Sequence, residues 1–166
     1  MNTIFLIGFM GAGKTTIGKE LAACLGWPVY DTDEEIVKET GKSIAQIFDN
    51  VGEDGFRSIE TNTLKKIPTK GTVITTGGGI ILREKNREWL KNSGTVIFLD
   101  VKPEEVIRRL KDDQTRPLIQ SNKEKNIHKM MLARIPLYTE TSHFQIQTTG
   151  KQINQIIVEI ETCLGK

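Results

Sequence analysis

The stretch Gly8-Phe9-Met10-Gly11-Ala12-Gly13-Lys14-Thr15 follows a short apolar, β-branched run and precedes a segment of helical period. In that setting the pattern GxxxxGK[ST] prescribes a strand, a tight loop and a helix in immediate succession. Glycines let successive backbone N–H groups turn inward, in conformations that a Cβ would obstruct. A helix starting near Lys14 aims its positive end at the same point. Such a loop cradles nucleotide phosphates, with Lys14 reaching the β- and γ-phosphates and the Thr15 hydroxyl ligating Mg²⁺. Motors, switches, transporters and kinases share the loop, so it predicts ATP or GTP binding and leaves the use of the nucleotide open.

Around this anchor, β-branched runs alternate with longer helical segments, which predicts an α/β layered fold. Strands are expected at Thr3 to Gly8, Val29 to Asp31, Thr72 to Thr75, Thr95 to Asp100 and His143 to Gln147. Helices are expected from Lys14 to Leu25, Glu34 to Thr40, Ser43 to Asn50, Gly55 to Lys66, Arg83 to Asn92, Pro103 to Lys111, Glu124 to Arg134 and Gln152 to Cys163. The polar run DDQTRPLIQSNKEK, residues 112–125, is longer than a usual connection and carries Arg116, which makes it a candidate lid.

With 166 residues the chain suits one domain, 1–166, able to bury a core without staples. A net charge of +2, from 23 basic against 21 acidic residues, leaves no basic field for nucleic acid. No run approaches membrane-spanning length, and the N-terminus lacks the basic start and cleavage site of a signal peptide, so a cytoplasmic protein is expected. Cys24 and Cys163 have no metal-ligand spacing and are expected as buried thiols.

Asp31-Thr32-Asp33 falls at the carboxyl end of a predicted strand, where ligands of open α/β sheets collect. One carboxylate could help hold Mg²⁺ while the other orients or deprotonates an acceptor hydroxyl; Asp33 could equally cap a helix beginning at Glu34. Three consecutive glycines, Gly77 to Gly79, suggest a loop whose N–H groups approach ligand oxygens. Arg57 opens a helix and Arg134 closes one, beside proline and aromatic residues; together they could form a planar fork for a carboxylate.

The segments GFMGAGKTT, DTD, GEDGFRSIE, TTGGGI, TRPLI and ARIPLY stand in the order and approximate spacing of the shikimate kinase family, and from Gly8 to Tyr138 the chain resembles it. The resemblance implies a nucleoside-monophosphate-kinase-like P-loop fold: three layers, a five-stranded parallel sheet in the order 2-3-1-4-5 flanked by helices, and a mobile lid. It further implies transfer of the ATP γ-phosphoryl group to the 3-hydroxyl of shikimate, with ATP and shikimate as small-molecule substrates, Mg²⁺ as cofactor and a monomeric enzyme of aromatic amino-acid biosynthesis. ATP would meet Gly11, Ala12, Gly13, Lys14, Thr15, Thr16 and Arg116, with Arg109 stacked on adenine. Thr15 and Asp31 would hold the metal. Shikimate would meet Asp33, Arg57, Gly78, Gly79 and Arg134, within a pocket drawn largely from the segment 33–61. Lys14, Asp33 and Arg116 would be catalytic, Arg116 swinging in with the lid to stabilise charge on the transferred group. The chain departs from the pattern at Thr148 to Lys151, which lacks the arginine that many relatives use as the other face of an adenine clamp. Kinases of gluconate or nucleoside monophosphates are the nearest alternatives, and a nucleotide-binding regulatory module is the alternative from another class.

Overall fold

The computed structural model describes residues 3–110 and 123–165. Thr3–Ile7, apolar and β-branched, forms β1, buried along its whole length. The chain then runs through α1 (Lys14–Leu25), β2 (Val29–Asp31), α2 (Thr32–Thr40), α3 (Ile44–Lys66), β3 (Thr72–Thr75), a 3₁₀ turn at Ile80–Leu82, α4 (Glu84–Ser93), β4 (Thr95–Asp100), α5 (Pro103–Leu110), α6 (Lys123–Thr141), β5 (Phe144–Gln147) and α7 (Ile153–Cys163). The five strands form one parallel sheet in the order β2-β3-β1-β4-β5, as the family resemblance implies.

Successive residues of a strand point to opposite faces, and β1 shows how both faces are covered. Phe5 meets the Trp89 ring of α4 edge-on at 5.7 Å. The next residue, Leu6, faces α1, where a Cβ on Gly18 would lie 3.6 Å from Leu6 Cδ1 and only 2.3 Å from Thr75 Cγ2. Gly18 thus lets α1 sit directly on β1 and β3, which fixes the start of α1 over the carboxyl ends of those strands. A second, small apolar cluster lies apart from the sheet core: Ile36, Ile47 and Phe56, with Ile44, Phe48 and Ile59 packed against them. Phe48 and Phe56 stack at 4.5 Å, and the cluster ties α2 to α3.

Four local features differ from the sequence-based expectation. Helix α2 starts at Thr32 because Asp31 is its cap, the carboxylate accepting from the Asp33 and Glu34 amides at 3.0 and 3.3 Å. Asp33 therefore lies in the first turn of the helix and does not cap it. The two helices expected between Ser43 and Lys66 run together as α3, with a kink at Gly52 (φ 69°, ψ −176°). A capping box between Ser43 and Gln46 secures the start of α3.

Helix α6 does not close at Arg134 but continues past Pro136 to Thr141. The carbonyl that Pro136 leaves without its amide partner belongs to Leu132, which is exposed to water, while Tyr138 and Thr141 beyond it are fully buried. Packing of that last turn outweighs the helix-breaking tendency of proline. Cys24, expected to be buried, is exposed on the outer side of α1, and Cys163 is half-buried. His143 is structural: its Nδ1 accepts the Val96 amide at 2.9 Å, and its own amide donates to the Val96 carbonyl at 2.8 Å.

Candidate active site

At the carboxyl end of β1 the chain turns through Gly8 to Gly13 into α1. Gly13, the N-cap of α1, is left-handed (φ 87°) and supplies no side chain, so the first-turn amides of α1 are left for an anion. Lys14 is buried and donates to the Gly8 and Phe9 carbonyls, both at 2.8 Å, which folds its ammonium back over the loop. Arg109 reaches across from α5 and donates to the Gly11 carbonyl at 2.8 Å, steadied by Glu105 at 2.9 Å. The two arginines of α5 hold the Glu105 carboxyl well below its ordinary range, at about 2. Lys151 is paired with Glu159 on α7.

A cleft of about 200 Å³ opens in front of the loop, bounded by Lys14, Thr15 and Thr16 on one side and by Asp31, Asp33 and Thr76 to Gly78 on the other. Thr15 donates to Asp31 Oδ2 at 3.0 Å, and Thr75 donates to the same oxygen at 2.6 Å. Thr32 accepts the Gly77 amide at 2.9 Å, so the turn after β2 is stitched to the turn after β3. Among the described residues no three His, Cys, Asp or Glu side chains cluster as a metal cage. The Thr15 hydroxyl and Asp31 carboxylate nevertheless make a hard oxygen set, which fits a magnesium ion that keeps most of its waters and binds the rest through phosphates.

On the far side of Gly77 from the loop lies a group of buried charges. Arg57 and Arg134 are each 8% exposed, and Glu60 is 0% exposed. Arg57 donates to Glu60 Oε2 at 3.0 Å and to the outer Glu53 at 3.4 Å, with its guanidinium 5.2 Å from the Phe56 ring centre. Arg134 lies 5.7 Å over the Phe9 ring. Burial pushes the Glu60 carboxyl up to about 7, although Arg57 and Arg134 pull it down; the neighbouring Asp33 charge adds to the rise. Both arginines also act on the charge of the buried Tyr138 hydroxyl.

The glycine run is explained by the protein's own side chains. A Cβ on Gly79 would lie 2.4 Å from the Arg57 guanidinium, and one on Gly77 would lie 2.9 Å from Asp33 Oδ1 and 3.0 Å from Glu60 Oε1. The missing side chains leave the space in which these charges sit. Glu60 and Tyr138 are the residues that sequence reasoning did not single out. Arg57 and Glu60 stand three apart on a helix, a spacing that brings opposite charges together and could have flagged the pair. Arg116 and most of the candidate lid 112–125 lie outside the described residues.

A family model described as Shikimate kinase matches residues 10–164. A shikimate kinase of Bacillus cereus (strain AH187) is 44% identical over 161 residues, covering 97% of each chain. Among solved structures, a shikimate kinase from Acinetobacter baumannii in complex with shikimate superposes with a TM-score of 0.94 at 40% identity, covering 99% of this chain and 93% of the other. A gluconokinase from Sinorhizobium meliloti 1021 shares the fold, with a TM-score of 0.66 at 16% identity over 99% of this chain and 91% of its own.

Proposed function

From the premise that the chain belongs to the shikimate kinase family and is an ATP-dependent kinase, we propose that it moves the ATP γ-phosphoryl group onto the 3-hydroxyl of shikimate, giving shikimate 3-phosphate and ADP in aromatic amino-acid biosynthesis. The observation that carries this reading for the chain's own residues is a juxtaposition: the phosphate loop faces Asp33 across the cleft, and Asp33 meets Glu60, the partner of the buried Arg57, over Gly77. Such an arrangement suits phosphates at the loop and a single carboxylate at the arginines.

The loop residues Gly11 to Thr16 bind the phosphates through backbone amides and Lys14, whose ammonium leaves the Gly8 and Phe9 carbonyls to do so. Thr15 and Asp31 would hold Mg²⁺, which supplies neutralisation of the phosphate charge when bound. Asp33, set at the start of α2 by the Asp31 cap, takes a hydrogen bond from the acceptor hydroxyl and orients or deprotonates it. Arg57 and Arg134 bind the acceptor carboxylate, and Gly78 and Gly79 supply the wall beside them. Arg109, already over Gly11, contacts the adenine side, and Arg116 keeps the charge-stabilising role that the resemblance implies, within a lid at 112–125. Catalysis then rests on positioning and charge neutralisation.

The chain works as one domain, with 33–61 as the acceptor-binding segment, as a monomer in the cytoplasm, and without nucleic acid or membrane partners. No helix among the described residues is long and apolar enough to cross a membrane. The deciding test is ADP release from Mg-ATP with shikimate, gluconate, AMP or no acceptor. Turnover with shikimate alone is expected; turnover with gluconate or AMP would reassign the pocket, and ATP binding without turnover would make the protein a regulatory module. Arg57→Ala or Arg134→Ala should chiefly raise the shikimate KM, and an unchanged KM would remove the carboxylate role.

A further inference from the structure

Tyr138 belongs to neither the phosphate loop nor the acceptor-binding residues, yet it is 1% exposed and placed between them. Its ring stacks on Phe98 of β4 with centres 5.0 Å apart. Its hydroxyl donates to the Gly78 carbonyl at 2.5 Å, and Arg134 stands one helical turn earlier on α6. Burial raises the phenol above its ordinary range, so it stays protonated and able to donate.

The consequence follows from the peptide bond. The Gly78–Gly79 bond is planar and trans, as are all peptide bonds in the described chain, so its N–H points opposite to its C=O. Because the Gly78 carbonyl is drawn toward Tyr138 on the core side, the Gly79 N–H is turned away from the core. The Arg57 guanidinium packs against the same glycine, where a Cβ would otherwise stand. Among the described residues no acceptor takes this N–H. Glycine neighbours would otherwise let this peptide flip freely, since no side chain restricts either residue.

Resting on the proposed acceptor pocket, we propose that Tyr138 is a positioning residue for acceptor binding: its hydroxyl fixes the Gly78–Gly79 peptide with the Gly79 N–H presented to the acceptor. Tyr138 touches no substrate itself. One oxygen sets the direction of one N–H donor.

Tyr138→Phe removes that oxygen and keeps the ring on Phe98. Steady-state kinetics with Mg-ATP and shikimate should show the shikimate KM rising by roughly fivefold to twentyfold, as expected for losing a hydrogen bond's worth of positioning, with the ATP KM within about twofold. Phe98→Leu is the companion, loosening the ring while keeping the hydroxyl. It should lower the unfolding midpoint and move the shikimate KM less than Tyr138→Phe does. An unchanged shikimate KM in Tyr138→Phe would overturn the inference. So would a joint rise of both KM values with a lowered unfolding midpoint, or an equal KM effect from Phe98→Leu, because each marks a merely structural role. If the wild-type protein turns over a different acceptor, the substrate assignment fails, and the same KM comparison with that acceptor still decides the role of Tyr138.

Discussion

The phosphate loop and the acceptor pocket adjoin at Asp33 and Gly77 but are built by different means. The loop is one contiguous stretch whose groups are backbone amides and one lysine, and its shape comes from local conformation, as at Gly13. The pocket is assembled from α2, α3, the glycine run and α6, and its groups are side-chain charges that hold one another: Asp33, Arg57, Glu60 and Arg134. Backbone donors cost little to keep in place, whereas a buried carboxyl and guanidinium tolerate each other only with close geometry. The difference implies that the pocket, more than the loop, is sensitive to single-atom changes and to pH.

The largest effect that would separate the two regions is expected at Asp33. Asp33→Asn should lower kcat by roughly 10²- to 10⁴-fold, the range for a positioned proton acceptor, and leave the ATP KM within about twofold. Equal losses in turnover and ATP affinity would show that the regions are not separable in this way. Gly79→Ala comes next, since its methyl group would lie 2.4 Å from the Arg57 guanidinium. A displaced guanidinium should raise the shikimate KM by roughly tenfold to a hundredfold, about 1.4 kcal/mol per decade. ATP binding, followed by calorimetric titration, should not change.

The pH dependence of the pocket is read through Glu60. Its carboxyl rises from the ordinary 4.5 to about 7 in the folded protein, so the native state holds a proton that the unfolded chain has released. This contribution to stability is complete below about pH 4.5 and is lost as pH rises through 7, with a magnitude of up to about 3 kcal/mol. Thermal unfolding at pH 5 and pH 8 should show wild type losing more stability across that interval than Glu60→Gln. A protonated Glu60 also stops competing for Arg57, so the shikimate KM should fall from pH 8 to pH 6 in wild type and stay flatter in the variant. The smallest effect is expected at the seam between the regions. Thr75→Val removes the 2.6 Å donor to Asp31 and should lower stability by about 1 kcal/mol in denaturant titrations, with a modest rise in the Mg-ATP KM.

The same contrast explains what could be seen in the sequence. The loop and the strand–helix alternation are local patterns, and their residues stand where the sequence puts them. The sheet order came from the family resemblance, because periodicity alone does not say which strands are neighbours. Asp33, Arg57 and Arg134 were visible as residue types in suggestive settings, but Glu60 and Tyr138 were not. Their importance arises from what lies across the fold: Glu60 faces Arg57 and Asp33, and Tyr138 meets Gly78, 60 positions away. The glycine run was legible as a place of close approach, yet the approaching groups turned out to be the protein's own charges. Helix α6 ran past its expected end because burial of Tyr138 and Thr141 outweighs Pro136, a tertiary contest with no local signature.

The small cluster of Ile36, Ile47 and Phe56 bears on how this protein opens. Each such side chain contributes roughly 1.5–3 kcal/mol by burial, so the cluster supports α2 and α3 with only a fraction of what the sheet core commands. Amide hydrogen exchange should therefore divide in two, with α2 and the stretch of α3 from Ile44 to Ile59 exchanging through a partial opening that leaves the strands protected. An anion bridging Arg57 and Arg134 would join a residue of the weakly held unit to a residue of the strongly held one. Substrate would then act as a fastener, slowing exchange in α2 and α3 far more than in β1 or β4.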